Sequence, residues 1–309
     1  MNLQAELNKT GGFKNLELLA KQVVEGFIAG MHKSPFHGFS AEFAEHKIYN
    51  QGESTKHIDW KLYAKTDKLF TKRYDEETNL RCHLIIDNSS SMHYPKMKEF
   101  SIGKLNKIAF SALASASLMH ILKKQRDAIG MSIYSDAYDF YSPEKGSERH
   151  HQMLLGQLSN MVLSQPVNKQ TETYTYLHQI AENIHRRSLI FFFTDMFQTS
   201  TDDTKLFEAL RHLKYNKHEV VLFHVFDKSK ELKFDFDNTP KRFIDVETGE
   251  FINLYPDTIK DSYEDNVQAY FDELRLKCGQ YQIKYVEADI NKSFDKILTT
   301  YMVERGKFK

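Results

Sequence analysis

From residue 80 onward, short apolar runs alternate with longer stretches of helical periodicity, and few folds accept that rhythm. The runs are Leu80 to Ile86, Ala128 to Tyr134, Ser188 to Phe193, Glu219 to Phe226 and Tyr281 to Val286, rich in branched and aromatic side chains that suit extended backbone. Several are apolar on both alternations, as strands are when helices cover both faces of a sheet. Helical patterns lie between them, at about Pro95 to Lys124, Glu148 to Val162, Thr175 to His185, Asp202 to Tyr215, Asp257 to Cys278 and Ser293 to Val303. This alternation predicts a doubly wound α/β domain on a mostly parallel sheet. Ile108 to Leu122 is apolar or small almost all round, which predicts a helix buried against that sheet.

The first strand ends on Asp87-Asn88-Ser89-Ser90-Ser91, a D-x-S-x-S turn. One carboxylate and two hydroxyls, two residues apart, can aim their oxygens into one small volume. Hard oxygen donors of this kind suit Mg²⁺ or Mn²⁺, and a carboxylate from a partner can take an open position on the ion. Asp, Asn and Ser are also ordinary residues of turns and helix caps, so a capped turn stands beside the metal turn as an explanation. A second apolar strand ends on an acid, Asp195, and a Thr-rich loop, Gln170-Thr171-Glu172-Thr173, lies between the two strands. The residues alone leave both Thr171 and Thr173 as possible loop donors. Ligands of open parallel sheets gather at the carboxyl ends of strands near the switch in strand order, where Asp87 and Asp195 are expected. Asp87, Ser89 and Ser91, a threonine of that loop and Asp195 are thus candidate oxygen donors.

Composition narrows the partners. The 309 residues carry 42 Lys+Arg and 42 Asp+Glu, so no global field draws nucleic acid or a membrane surface, and recognition has to be local. No apolar stretch approaches the roughly 20 residues that span a bilayer, and the N-terminus lacks a signal pattern, so the expected location is cytoplasmic. Cys82 and Cys278 have no C-x-x-C neighbour and are expected to be buried, reduced thiols.

Before residue 80 the pattern changes. Leu16 to Met31 reads as an amphipathic helix, and Leu69 to Glu76 as a polar, alternating edge strand. Residues 1–78 are expected to form an extension packed on the sheet, anchored by the lone Trp60, with 79–309 as the main domain. Within it, about 240–256 form an inserted hairpin, two alternating runs around a Gly-containing turn, Phe243 to Leu254.

With these residues in view, the D-x-S-x-S turn, the Thr171 loop and Asp195 resemble the metal-ion-dependent adhesion site of von Willebrand factor A domains. Tyr49-Asn-Gln-Gly-Glu53, Ile58-Asp-Trp-Lys61 and Ala64-Lys-Thr66 resemble the segment that precedes the A-type domain in the bacterial domain-of-unknown-function family 58. Asp245-Val-Glu-Thr-Gly-Glu250 fits the same family, and the likeness covers roughly residues 35 to 305. Glu53 and Lys65 stand where Asp and Arg are expected, and Lys cannot make the bidentate contact of Arg. The resemblance implies a von Willebrand factor A-type fold and a non-enzymatic, metal-dependent protein-interaction module, working with a MoxR-type AAA+ ATPase in chaperone-like assembly.

The competing expectation is a Mg²⁺- or Mn²⁺-dependent hydrolase or phosphotransferase using Asp87 and Asp195. Such enzymes call for further carboxylates and a general base, and no G-x-S-x-G, P-loop or Gly-rich dinucleotide turn is present.

Overall fold

The computed structural model describes residues 16–31, 46–48, 60–66, 69–72, 80–97, 103–136, 138–164, 173–196, 203–246 and 248–306. The chain divides into two units, residues 1–28 with 80–309 and residues 29–79. Helix α1 (Leu16–Met31) has the predicted bounds and belongs to the first unit up to Ile28. It buries Leu16, Leu19, Ala20, Val24 and Phe27, the spacing of a single helical stripe.

In the second unit, β1 (His46–Ile48) pairs antiparallel with β2 (Phe70–Lys72), and α2 (Trp60–Thr66) lies between them in sequence. The Trp60 ring meets that of Tyr63 edge-on at 6.2 Å. Only the first part of the expected Leu69–Glu76 strand falls within the described residues.

The first unit is an α/β fold around one sheet. Its elements in chain order are β3 (Arg81–Asp87), α3 (Lys107–Lys124), β4 (Ala128–Tyr134), β5 (Tyr138–Lys145), α4 (Glu148–Leu163), α5 (Thr173–Asn183), β6 (Leu189–Thr194), α6 (Asp203–Tyr215), β7 (Glu219–Phe226), the hairpin β8 (Lys241–Ile244) and β9 (Phe251–Leu254), α7 (Pro256–Gln280), β10 (Lys284–Asp289) and α8 (Asp295–Gly306). Six strands are ordered β10-β7-β6-β3-β4-β5, parallel except for the antiparallel edge strand β5. From β3 the chain moves to β4 on one side and later to β6 on the other, so the strand order reverses at β3. In open α/β sheets the carboxyl end of the strand at such a reversal is the usual place for a ligand.

Inner strand β6 is buried along its whole length and β3 from Cys82 onward, on both faces of the sheet. On one face α3 crosses β3, β4 and β7 beneath α4 and α8. Its small residues allow close approach, and the hydroxyls of Ser111 and Ser117 donate to the carbonyls of Lys107 and Leu113, leaving neither buried without a partner. On the other face, Leu177, Ile180 and Ile184 with Phe207, Leu210, Leu213, Leu274 and Cys278 pack on Ile85, Ile190, Phe192, Val220 and Leu222. Both cysteines are free and buried, as expected.

The expected helix from Pro95 begins instead at Lys107. Asn106 takes extended backbone and its side-chain oxygen accepts from the Ala109 N–H at 2.9 Å, which fixes the first turn. The last strand lies three residues later than its apolar run suggested, because the Ile283 N–H closes α7 on the Cys278 carbonyl at 2.8 Å. The hairpin forms where expected, with Gly249 at φ +78°, a backbone only glycine adopts freely.

Candidate functional site

Asp87 is the last residue of β3 and is 3% exposed. One carboxylate oxygen accepts the Ser89 N–H at 2.9 Å, and the other accepts the Thr194 hydroxyl at 2.8 Å. The turn is tied to its neighbour by the Asn88 N–H, which donates to the Tyr134 carbonyl at 2.8 Å, and it closes as a 3-10 turn over Ser91–His93. Asn88 also bonds His93 and Asp139 through its side chain. These contacts leave the hydroxyls of Ser89 and Ser91 side by side at 3.0 Å.

That separation can be compared with a cation's needs. Six oxygens at about 2.1 Å around Mg²⁺ place neighbouring ligands about 3.0 Å apart, so the hydroxyl pair has the spacing of one octahedral edge. The donor set has one carboxylate and neutral oxygens, which matches a hard divalent ion that keeps water. Among the described residues no group of three or more His, Cys, Asp or Glu is placed to hold a metal, so any ion here relies on the hydroxyls. Burial, then the charge of Asp195, pushes the Asp87 carboxyl up to about 7, against the hydrogen bonds from Ser89 and Thr194 that lower it. A cation at the turn would counter both effects.

Asp195 lies at the end of β6, as expected, and is 1% exposed. Its carboxylate is held by Lys107, whose ammonium lies 2.8 Å from Asp195 Oδ2 and 2.5 Å from Glu231 Oε1. Glu231 sits in the turn that follows β7, where its other oxygen accepts the Asp227 N–H at 2.6 Å. Burial lowers the Lys107 pKa, but the two carboxylates outweigh it and hold the ammonium charged. Glu231 is shifted up, by burial first, although Lys107 opposes it.

The structure thus brings together Asp87, Ser89 and Ser91 and places Asp195 beside them in an ion pair. Thr171 lies outside the described residues, and the alternative Thr173 starts α5. Sequence reasoning missed Lys107, Thr194 and Glu231. The only signal for Lys107 was a charge directly before an otherwise apolar helix, and Thr194 reads as an ordinary strand residue.

A second polar cluster lies near the amino ends of the strands. His83 bonds Ser132 Oγ through Nε2 and Glu144 through Nδ1, each at 2.7 Å. This is the connectivity of a serine nucleophile, base and carboxylate. Ser132 and His83 are fully buried and the Glu144 side chain is 0% exposed, so the array sits sealed inside the protein.

Residues 45–270 match the family described as Protein of unknown function DUF58. An uncharacterised protein of Mycobacterium bovis and one of Mycobacterium tuberculosis are each 22% identical over 148 residues, 48% of this chain and 45% of theirs. The chain thus spans about half the length of the curated relatives it matches. Among solved structures, the conserved hypothetical protein BatB from Bacteroides thetaiotaomicron aligns with a TM-score of 0.44 at 14% identity, covering 74% of this chain and 99% of that one. A variant of the PilB minor pilin from Streptococcus sanguinis aligns at 0.42 and 7% identity, covering 77% and 64%.

Proposed function

This chain belongs to the DUF58 family, and from that premise we propose that its α/β domain is of the von Willebrand factor A type and acts as a metal-dependent protein-interaction module. The carrying observation is the convergence of Asp87 and the Ser89–Ser91 hydroxyl pair at the carboxyl end of β3, where the strand order reverses. Asp87, Ser89 and Ser91 would hold Mg²⁺ or Mn²⁺, with Thr171 as the loop donor. Asp195 acts from behind the turn through its charge. The ion would supply an electropositive anchor, and the protein's own groups would fix its position at the carboxyl end of β3.

An ion held by one carboxylate and neutral oxygens keeps positive charge, so a partner's Asp or Glu gains a strong charge-assisted bond. The partner class we favour is a MoxR-type AAA+ ATPase in the cytoplasm, with this chain as its non-enzymatic adaptor. Among the described residues no helix is long and apolar enough to cross a membrane. Capture of the MoxR-type ATPase from the same cell should be abolished by EDTA, restored by Mg²⁺, and lost in Ser89→Ala and Ser91→Ala variants that fold normally. Capture indifferent to chelator and to both serine changes would place the interface elsewhere.

One observation favours a second reading, a Mg²⁺- or Mn²⁺-dependent hydrolase or phosphotransferase. Asp87 and Asp195 stand at the ends of paired strands, close enough for the charge of Asp195 to act on Asp87, so two acids share one site. Metal-stimulated phosphatase activity that disappears in Asp87→Ala would establish it over the adaptor.

A further inference from the structure

We infer that Lys107 sets how tightly the D-x-S-x-S turn holds its cation, by keeping Asp195 out of the metal shell; the inference rests on the metal-binding reading of Asp87, Ser89 and Ser91. The ammonium lies 2.8 Å from Asp195 and 2.5 Å from Glu231. The Lys107 and Asp195 side chains are each 1% exposed, so water screens this contact little. Asp195 Oδ2 is committed to Lys107, and drawing the carboxylate toward a divalent ion at about 2.1 Å would strain a buried pair whose loss is strongly unfavourable.

The turn is left with Asp87 as its single engaged carboxylate and with neutral hydroxyls. An ion bound there stays under-neutralised, binds weakly alone, and gains most from a carboxylate supplied from outside. Lys107 thereby makes ion retention depend on the partner. Without the ammonium, Asp195 is released at the end of the strand next to β3 and the site can satisfy a divalent ion from its own side chains.

The test is Mn²⁺ binding, read by electron paramagnetic resonance and calorimetry on the full chain. Lys107→Gln, which stays polar but loses the charge, should tighten Mn²⁺ by about tenfold or more, the expected effect of one added carboxylate on a divalent ion. Lys107→Arg keeps the charge and should bring no tightening. Lys107→Met combined with Glu231→Gln removes one positive and one negative charge together, so it keeps the local balance, leaves no buried ammonium, and carries the test if the single change does not fold. Adding Asp195→Asn to either neutral variant should erase the gain. Folded neutral variants that bind Mn²⁺ no more tightly than wild type overturn the role of Lys107. Wild-type binding unchanged by Ser89→Ala is a different result, which removes the metal reading and this inference with it.

Discussion

Gly130 shows how closely the buried polar groups are fitted. A Cβ placed there would lie 2.5 Å from His83 Nδ1 and 3.0 Å from the Glu144 backbone nitrogen, and His83 is already fixed by Ser132 and Glu144. Neither neighbour is the loose end of a long side chain. Gly130→Ala should therefore destabilise the protein by about 1–3 kcal/mol, the usual range for overpacking, and urea unfolding that matches wild type would show that the His83 array can shift. At this scale the sequence was legible where chemistry shows in the residue type. Asp87, Ser89 and Ser91 are oxygen donors in a short turn, and their meeting needs only local geometry. Lys107 and Glu231 were illegible because their role comes from partners 88 and 124 positions away from Lys107. The Ser132–His83–Glu144 array was invisible for the same reason, since strand register brings it together.

Among the elements, α3 joins core and site. Its first residue supplies the ammonium and its body is the buried layer on one face of the sheet. Asn106→Ala removes the cap on Ala109 and should lower stability by about 0.5–2 kcal/mol in thermal or chemical unfolding, with the far end of the helix unaffected. A melt identical to wild type would mean that packing alone fixes where α3 begins. The inner parallel strands were readable because burial on both faces makes most of their residues apolar, even though His83, Ser132 and His224 interrupt the runs. The edge strand β5 was not predicted: Tyr138 to Lys145 is mostly polar and contains Pro143, which the outer position tolerates and an inner strand would not. The hairpin strands β8 and β9 form as predicted, and they expose Ile244, Phe251 and Ile252.

For the molecule as a whole, two buried histidines give stability a definite pH dependence. Burial drives His218 and His224 down to about 4, far below the ordinary value near 6.5. The unfolded chain therefore binds more protons than the folded one between those values, so stability falls as pH drops from about 6.5 to 4, by on the order of a few kcal/mol. Glu144 adds to the loss at the acid end: burial raises its pKa, but the bond and charge of His83 win and hold it low, so its contribution disappears as it is protonated. Asp87 and Glu231, both shifted upward, work in the opposite sense, and an Asp87→Asn background that also carries Glu231→Gln, measured in EDTA, removes that opposition. Melting temperature should then fall steadily through this window, and His218→Asn, which keeps an acceptor for the Ser188 N–H, should flatten the slope. A flat profile in the Asp87→Asn, Glu231→Gln background would contradict the neutral buried histidines. The ion triad of Lys107, Asp195 and Glu231 also bears on how the molecule is made. It ties segments from three separate crossovers, and contacts between positions so far apart in sequence form late because long loops have to close first. A nascent or clipped chain that has already formed the local D-x-S-x-S turn still lacks the charges that surround it. Under the metal-binding proposal, an unfinished chain would thus present the turn without the charges that Lys107, Asp195 and Glu231 set beside it in the finished molecule.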